Sequence, residues 1–387
     1  MRLTVLSHSC IVPTNQRFYA ALAAQGVHLQ LIVPALWRED IQGAMRPAVR
    51  DPGLEALWQP VQVWNSGSVP LHTYRTDLRR AFYLFQPDAI YCENESYAAS
   101  TIQTAIANRS SVRRPMLCRN NQNLVKRHPW PFRLAERWLL RDMACVNLVN
   151  EEAGQRLREK GYRGRLAYMP YGVDLDRYYP RETGSLRAEW GSPAFVFGYL
   201  GRLIEEKGLR VLVEAFQRFH PEEDVALVIV GDGPMRESLC VMLEHPGLRG
   251  RVRWVPAVPH AAAPELLSAF DALVLPSLTR PGWKEQFGRV LIEAAACGTP
   301  VIGSDSGEIP HLIDRLGHGL TVREGQVDAL YLAMRRLREE TELRDALREQ
   351  GRREVAQQFD VEALAYRFKQ LLDSLVATPL PGLSEAG

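Results

Sequence analysis

Short apolar runs alternate with stretches whose apolar residues recur every three or four positions along nearly the whole chain. In the first part, Leu3–Ser7, His28–Val33, Asp88–Cys92, Pro115–Cys118, Ala144–Val149 and Arg165–Met169 read as strands. Helical spacing falls between them in Asn15–Gln25, Tyr97–Asn108, Phe132–Met143 and Glu151–Lys160. Such alternation predicts a parallel sheet with helices on both faces. After Pro170-Tyr-Gly-Val-Asp174 the chain is polar and turn-rich as far as Pro193. A second series follows, with strands over Ala194–Leu200, Val225–Val230, Arg251–Val255, Ala272–Leu275, Pro300–Gly303 and Gly319–Val322. The pattern predicts an α/β protein of two Rossmann-like, doubly wound domains, 1–172 and 193–359, joined by a linker over 173–192. Val361–Leu375 has helical spacing behind Asp360, a suitable N-cap. Residues 377–387 read as a flexible tail.

Composition narrows this picture. A length of 387 residues, 46% hydrophobic and 24% charged, fits two globular cores. Cys10, Cys92, Cys118, Cys145, Cys240 and Cys297 are scattered without a C-x-x-C pair, so they read as buried small residues in a reducing compartment. No apolar run approaches the ~18–20 residues of a membrane span, and Met1–Ser7 is too short for a secretory signal. A cytoplasmic protein is expected. The net charge of +2 hides an asymmetry: residues 1–180 hold 23 basic and 15 acidic side chains, the remainder 24 and 30. A basic first half suits anionic partners such as phosphates, acidic glycans or lipid headgroups. No nucleic-acid partner is expected. Nicotinamide chemistry is disfavoured because no G-x-G-x-x-G follows the first strand.

The candidate chemistry lies in the second half. Glu285-Gln-Phe287-Gly288-Arg289-Val-Leu-Ile-Glu293 sets two carboxylates around a Phe-Gly turn before an apolar helix. A helix starting at Gly288 or Arg289 presents unpaired N–H groups and a positive dipole end, which suits a phosphate. Carboxylates beside a phosphate site accept hydrogen bonds from sugar and ribose hydroxyls, so the segment reads as a nucleotide-sugar site. Upstream, Gly198-Tyr-Leu-Gly201-Arg202-Leu-Ile-Glu-Glu-Lys207-Gly208 follows a strand and sets two cations beside a glycine turn.

Together with Gly231-Asp-Gly-Pro234, Asp271-Ala-Leu-Val-Leu-Pro-Ser277 and Ser304-Asp-Ser-Gly-Glu-Ile-Pro310, these segments resemble retaining glycosyltransferases of family four. That family has a GT-B fold and a Glu-x7-Glu signature. The ordered match covers most of residues 194–312. A looser similarity, in His8–Tyr19 and Asn121–Arg137, is to a bacterial polysaccharide and glycolipid subgroup. The resemblance implies transfer from a UDP- or GDP-sugar to a saccharide or lipid-linked acceptor, with retention, no cofactor and no metal. It implies that Arg202 and Lys207 stabilise the departing diphosphate and that Glu285 contacts the transferred sugar. Gly201, Phe287, Gly288, Arg289 and Glu293 would bind the donor, Glu293 at the ribose. In GT-B proteins the last helix crosses back to the first domain, which assigns 360–376 there.

The first domain departs from the family pattern. His8-Ser-Cys-Ile-Val-Pro13 stands where many members have a Gly-Gly loop, and Asn120 or Asn121 where many have a histidine. Asparagine can bond a sugar hydroxyl but cannot titrate. His8, Glu93, Asn120 and Asn121 are the candidate acceptor or sugar contacts. Asp174-Leu-Asp176 is read as a capping segment and not as a metal site. Lys126-Arg-His-Pro-Trp130-Pro-Phe-Arg133 suits a membrane interface, at the inner face, or a lipid-linked acceptor, and equally the packing of Trp130 and Phe132 into the domain core. Two rival readings stay open, a sugar-nucleotide epimerase on the same architecture and a silent nucleotide-sugar-binding protein.

Overall fold

A computed structural model describes residues 1–39, 43–124 and 130–377. It divides into two compact units, Met1–Tyr171 with the helix Val361–Val376, and Gly172–Asp360. Each is built on one all-parallel sheet.

In the first unit the strand order is Arg165–Tyr168, Cys145–Leu148, Met116–Asn120, Ala89–Cys92, Arg2–Leu6, His28–Pro34, Ala56–Val61. Ala89 and Tyr91 enter one core cluster, with Leu3, Leu29 and Leu31; Ile90 and Cys92 enter the other, with Leu6 and Ile32. Strands buried on both faces need apolar side chains at every position, which is why they read as continuous runs. The helix Val361–Val376 closes the first cluster through Leu364, Phe368, Leu371, Leu372 and Leu375, a helical stripe. The Phe368 ring lies 5.5 Å from Phe18 and 5.2 Å from Tyr91.

The elements between Leu36 and Phe85 were not foreseen. Ala56–Val61 is the seventh strand, at the sheet edge, where Pro60 is tolerated because no outer partner needs its amide. Leu36–Arg38 pairs with Met45–Pro47, and Val63–Trp64 with Thr73–Tyr74, as small antiparallel ladders. Asp77 caps the helix Leu78–Phe85 by accepting from the amides of Arg79 and Arg80.

The second unit orders its strands Val252–Val255, Val225–Val230, Phe195–Leu200, Ala272–Leu275, Val301–Ser304, Gly319–Val322. Val225–Val230 is buried at every residue. A short helix, Gly184–Glu189, lies within the segment expected as linker. No helix among the described residues is long and apolar enough to cross a membrane. Cys240 is exposed and the other five cysteines are buried as free thiols.

His318 is fully enclosed just before the last strand, its Nε2 bonded to the Leu291 carbonyl. Burial lowers its pKa from 6.5 to about 4, so the folded ring is neutral. The unfolded chain takes up this proton near 6.5 and the folded one only near 4. Stability is therefore full above about pH 7 and is lost as pH falls toward 4. For this group the loss at pH 5 should be about 2 kcal/mol. Urea unfolding of wild type and His318→Gln at pH 7.5 and pH 5 measures it: the substitution should shrink the pH difference, and an unchanged difference would exclude a neutral buried His318 as its source.

Candidate functional site

The site in the second unit starts where Phe195–Leu200 ends. The Gly201 amide donates to the Val230 carbonyl (3.0 Å) and the Leu203 amide to that of Asp232 (2.9 Å). Residues 201–203 are thereby tied to the Gly231–Pro234 turn. The Tyr199 hydroxyl donates to the Arg202 carbonyl at 2.6 Å, which leaves the Arg202 side chain exposed at the strand end. Next, Glu205–Lys207 forms a single 3-10 turn that Gly208 closes in the left-handed region, φ 69°. A Cβ on Gly208 would stand 2.0 Å from the Pro276 carbonyl oxygen, so only glycine lets this turn lie against the neighbouring strand end.

That contact brings Lys207 to Glu285. The ammonium donates to Glu285 Oε2 at 2.5 Å, and the Ser277 hydroxyl donates to the same oxygen at 3.0 Å. The Trp283 ring lies 5.5 Å from the Lys207 nitrogen. On the other side the Glu285 carbonyl accepts from the Glu308 amide, and a Cβ on Gly307 would meet that carbonyl oxygen at 1.9 Å. Glu285 thus sits in a backbone vice. Three residues on, Gly288 (φ 83°) caps the helix Arg289–Ala296, and buried Phe287 sets its ring 6.3 Å from Phe359. Glu293 is the fifth residue of this helix and is 9% exposed, against 8% for Glu285. Its charge adds to burial in raising the Tyr178 phenol.

Sequence reasoning missed Ser277, Trp283 and Tyr178. Ser277 had a signal, being the first polar residue after an apolar strand; the other two had none. Of the expected residues, the fold joins Lys207 directly to Glu285 and sets Gly288, Arg289 and Glu293 along the helix that follows.

The first-unit candidates gather at the carboxyl ends of its central strands. Glu93 is turned inward, with both carboxylate oxygens engaged. Its Oε1 pairs with Arg119 at 2.6 Å, while Oε2 accepts from Ser7 at 2.7 Å and Ser9 at 3.3 Å. Burial alone would raise this carboxyl, yet Arg119, Ser7 and Tyr19 hold it below the usual range. Removing one partner of so buried a pair strands the other, typically at ~3–5 kcal/mol. His8 follows Ser7, its ring 5.2 Å from Trp37 and 5.4 Å from His72. Burial, then His72, lower its pKa to about 4 against a smaller pull from Glu93, so His8 is neutral at physiological pH. Asn120 is 2% exposed, and its Oδ1 has no hydrogen-bond partner among the described residues. Asn121 donates through Nδ2 to the Tyr171 hydroxyl at 3.2 Å.

Asp174 Oδ1 accepts from the Asp176 amide within a turn; no helix starts there, so the segment is not the helix cap expected. Among the described residues no group of three or more His, Cys, Asp or Glu side chains is arranged to hold a metal ion. Trp130, Phe132 and Leu134 are exposed on the helix Trp130–Asp142, so they do not pack into the core; residues 126–129 of that motif lie outside the described residues.

Two family models match the chain, a "Glycosyl transferase 4-like domain" over residues 11–172 and "Glycosyl transferases group 1" over 185–354. D-inositol 3-phosphate glycosyltransferase of Corynebacterium jeikeium is 32% identical over 212 residues, 51% of this chain and 49% of that protein. The chain thus spans about half the length of this curated relative. Sucrose-phosphate synthase from Thermosynechococcus elongatus superposes with a TM-score of 0.75 at 22% identity, over 97% of this chain and 99% of the other. Anabaena HepE in complex with UDP does so with 0.75 at 20%, over 97% and 100%. These likenesses establish the GT-B fold, and the chain belongs to the group 1 glycosyltransferases, family four.

Proposed function

We propose that this glycosyltransferase moves a sugar from a UDP- or GDP-sugar to a saccharide or lipid-linked acceptor, with retention and without a metal ion or other cofactor. The observation that carries the reading is the Lys207 ammonium 2.5 Å from Glu285, three residues before the cap of the helix Arg289–Ala296. A cation, a carboxylate and a helix N-terminus so close together match the two halves of a nucleotide-sugar: a diphosphate that needs positive charge and a sugar that offers hydroxyls.

In the free protein Glu285 neutralises Lys207. A donor diphosphate takes over the ammonium, and Glu285 turns to the sugar hydroxyls. The bond from anomeric carbon to diphosphate oxygen then breaks as the acceptor oxygen bonds that carbon from the same face. The acceptor proton leaves to the diphosphate, whose growing charge Lys207, Arg202 and the helix N-terminus stabilise. Glu293 accepts from the ribose, with Gly201, Phe287, Gly288 and Arg289 around the nucleotide. On the acceptor side His8, Asn120 and Asn121 offer uncharged hydrogen-bonding groups, and Glu93 acts through the loop it anchors. UDP in the Anabaena structure supports a nucleotide donor. Exposed Trp130, Phe132 and Leu134 beside Arg133 and Arg137 support peripheral contact with the inner membrane face of a cytoplasmic protein.

A panel of nucleotide sugars, followed by mass spectrometry with and without EDTA, tests this. One donor should be consumed at the same rate in EDTA. Lys207→Ala should lower kcat by about 10²–10³. Glu293→Ala should raise the donor KM more than it lowers kcat. Conversion of the donor to an epimer would establish the isomerase reading, and nucleotide binding without turnover in the presence of cell-extract acceptors the binding-protein reading.

A further inference from the structure

The first unit carries an open cavity of about 590 Å³ between the Leu36–Arg38/Met45–Pro47 ladder and the loop 65–70. That volume is ample for a sugar phosphate. It lies next to the His8 loop, at the carboxyl edge of the sheet, where open α/β sheets take ligands. The Trp37 ring lies 5.2 Å from that of His8, tilted by 36°, and the adjacent residue, Arg38, lines the cavity. His72, fully buried, bonds through Nδ1 to the Ser68 and Val69 carbonyls, so the cavity loop is clamped beside the same rings.

The walls are held rigidly. The Ser66 hydroxyl accepts from the Arg38 amide and donates to the Leu36 carbonyl, both at 3.0 Å. Asn94 Nδ2 donates to the Val69 carbonyl at 3.2 Å. Gly67, at φ 90°, lets the loop approach Arg38 so closely that a Cβ would lie 3.1 Å from the Arg38 Cβ.

What the lining leaves uncommitted is a set of donors. The amides of Ser66, Gly67 and Val69 and the Ser68 hydroxyl donate to no acceptor among the described residues. Exposed Arg38 has no carboxylate partner among them either. Among the described lining residues the one acid, Glu39, is paired with Arg46 at 2.5 Å. The Ser68 amide is used by the Asn65 carbonyl, but the two successive free amides of Ser66 and Gly67, with a guanidinium unpaired among the described residues, are donors that suit an anion.

We propose that this cavity is a binding subsite for a phosphate-type group, with Arg38 its charged anchor and the Ser66–Val69 segment supplying neutral donors. It rests on the reading above only in taking this edge as acceptor ground: the phosphate would belong to the acceptor, carried by a soluble sugar or by a lipid headgroup.

Calorimetric titration of the full chain, saturated with UDP to occupy the donor site, tests it. The probes are glucose 6-phosphate, glucose, and short-chain phosphatidic acid below its micelle concentration. Glucose 6-phosphate or the phosphatidic acid should bind at millimolar concentration while glucose does not, and which of the two is tighter names the source. Arg38→Ala should weaken that binding about tenfold or more, Arg38→Lys less, and Lys207→Ala not at all. Binding of neither phosphate ester, or an affinity unchanged in Arg38→Ala, would overturn the proposal. Absence of UDP binding would instead count against the donor reading, and the ester titration without UDP would still judge Arg38.

Discussion

Lys207 can meet Glu285 only because two backbone segments approach more closely than any side chain would permit. The turn that ends at Gly208 lies against the Pro276 carbonyl, and Gly307 lies against the Glu285 carbonyl. With the two approaches in place, an ammonium from one loop and a serine hydroxyl from another meet on one oxygen of the Glu285 carboxylate. Everything proposed for the donor follows from that arrangement: the diphosphate competes for the cation, the sugar for the carboxylate, and the helix Arg289–Ala296 points its positive end from the same segment.

The first unit is built on a different constraint. At the ends of its central strands it buries the Glu93–Arg119 pair, and the loop after the first strand hangs from that pair through Ser7 and Ser9. A buried pair adds little net stability, yet it tolerates few alternative arrangements of the loop it bonds. His8 owes its place to this anchor and its neutrality to burial and, less, to the neighbouring His72. One unit thus offers paired charges suited to a diphosphate. Around His8 the other offers neutral hydrogen-bonding groups backed by a hidden ion pair, which on the proposed function divides a charged donor from a hydroxyl-bearing acceptor.

The twelve strands expected from apolar runs are all present; nine are interior strands, whose burial on both faces leaves a continuous apolar run, while the edge strands Arg165–Tyr168, Val252–Val255 and Gly319–Val322 keep enough of one to be found. Ala56–Val61 and the two small ladders escaped notice. Edge strands and short ladders are half exposed, contain proline and polar residues, and take their conformation from neighbours distant in sequence. The same holds within the sites. Glu285, Glu293, Arg202 and Lys207 stood out because glycines and apolar runs frame them, whereas Trp283 and Tyr178 have no local pattern at all. Glu93 was visible as a loop carboxylate, but that Arg119 turns it inward was not.

By itself the sequence determined the interior strands, the two-sheet plan and the family, since these rest on periodicity, on glycines at strand ends and on an ordered set of short motifs. The tertiary structure alone decided which groups share a proton or a charge. Lys207 and Glu285 are 78 residues apart, and Ser7 and Glu93 are 86 apart. Separations of that length carry no periodicity, so the partners are chosen only when strand order brings the loop ends together.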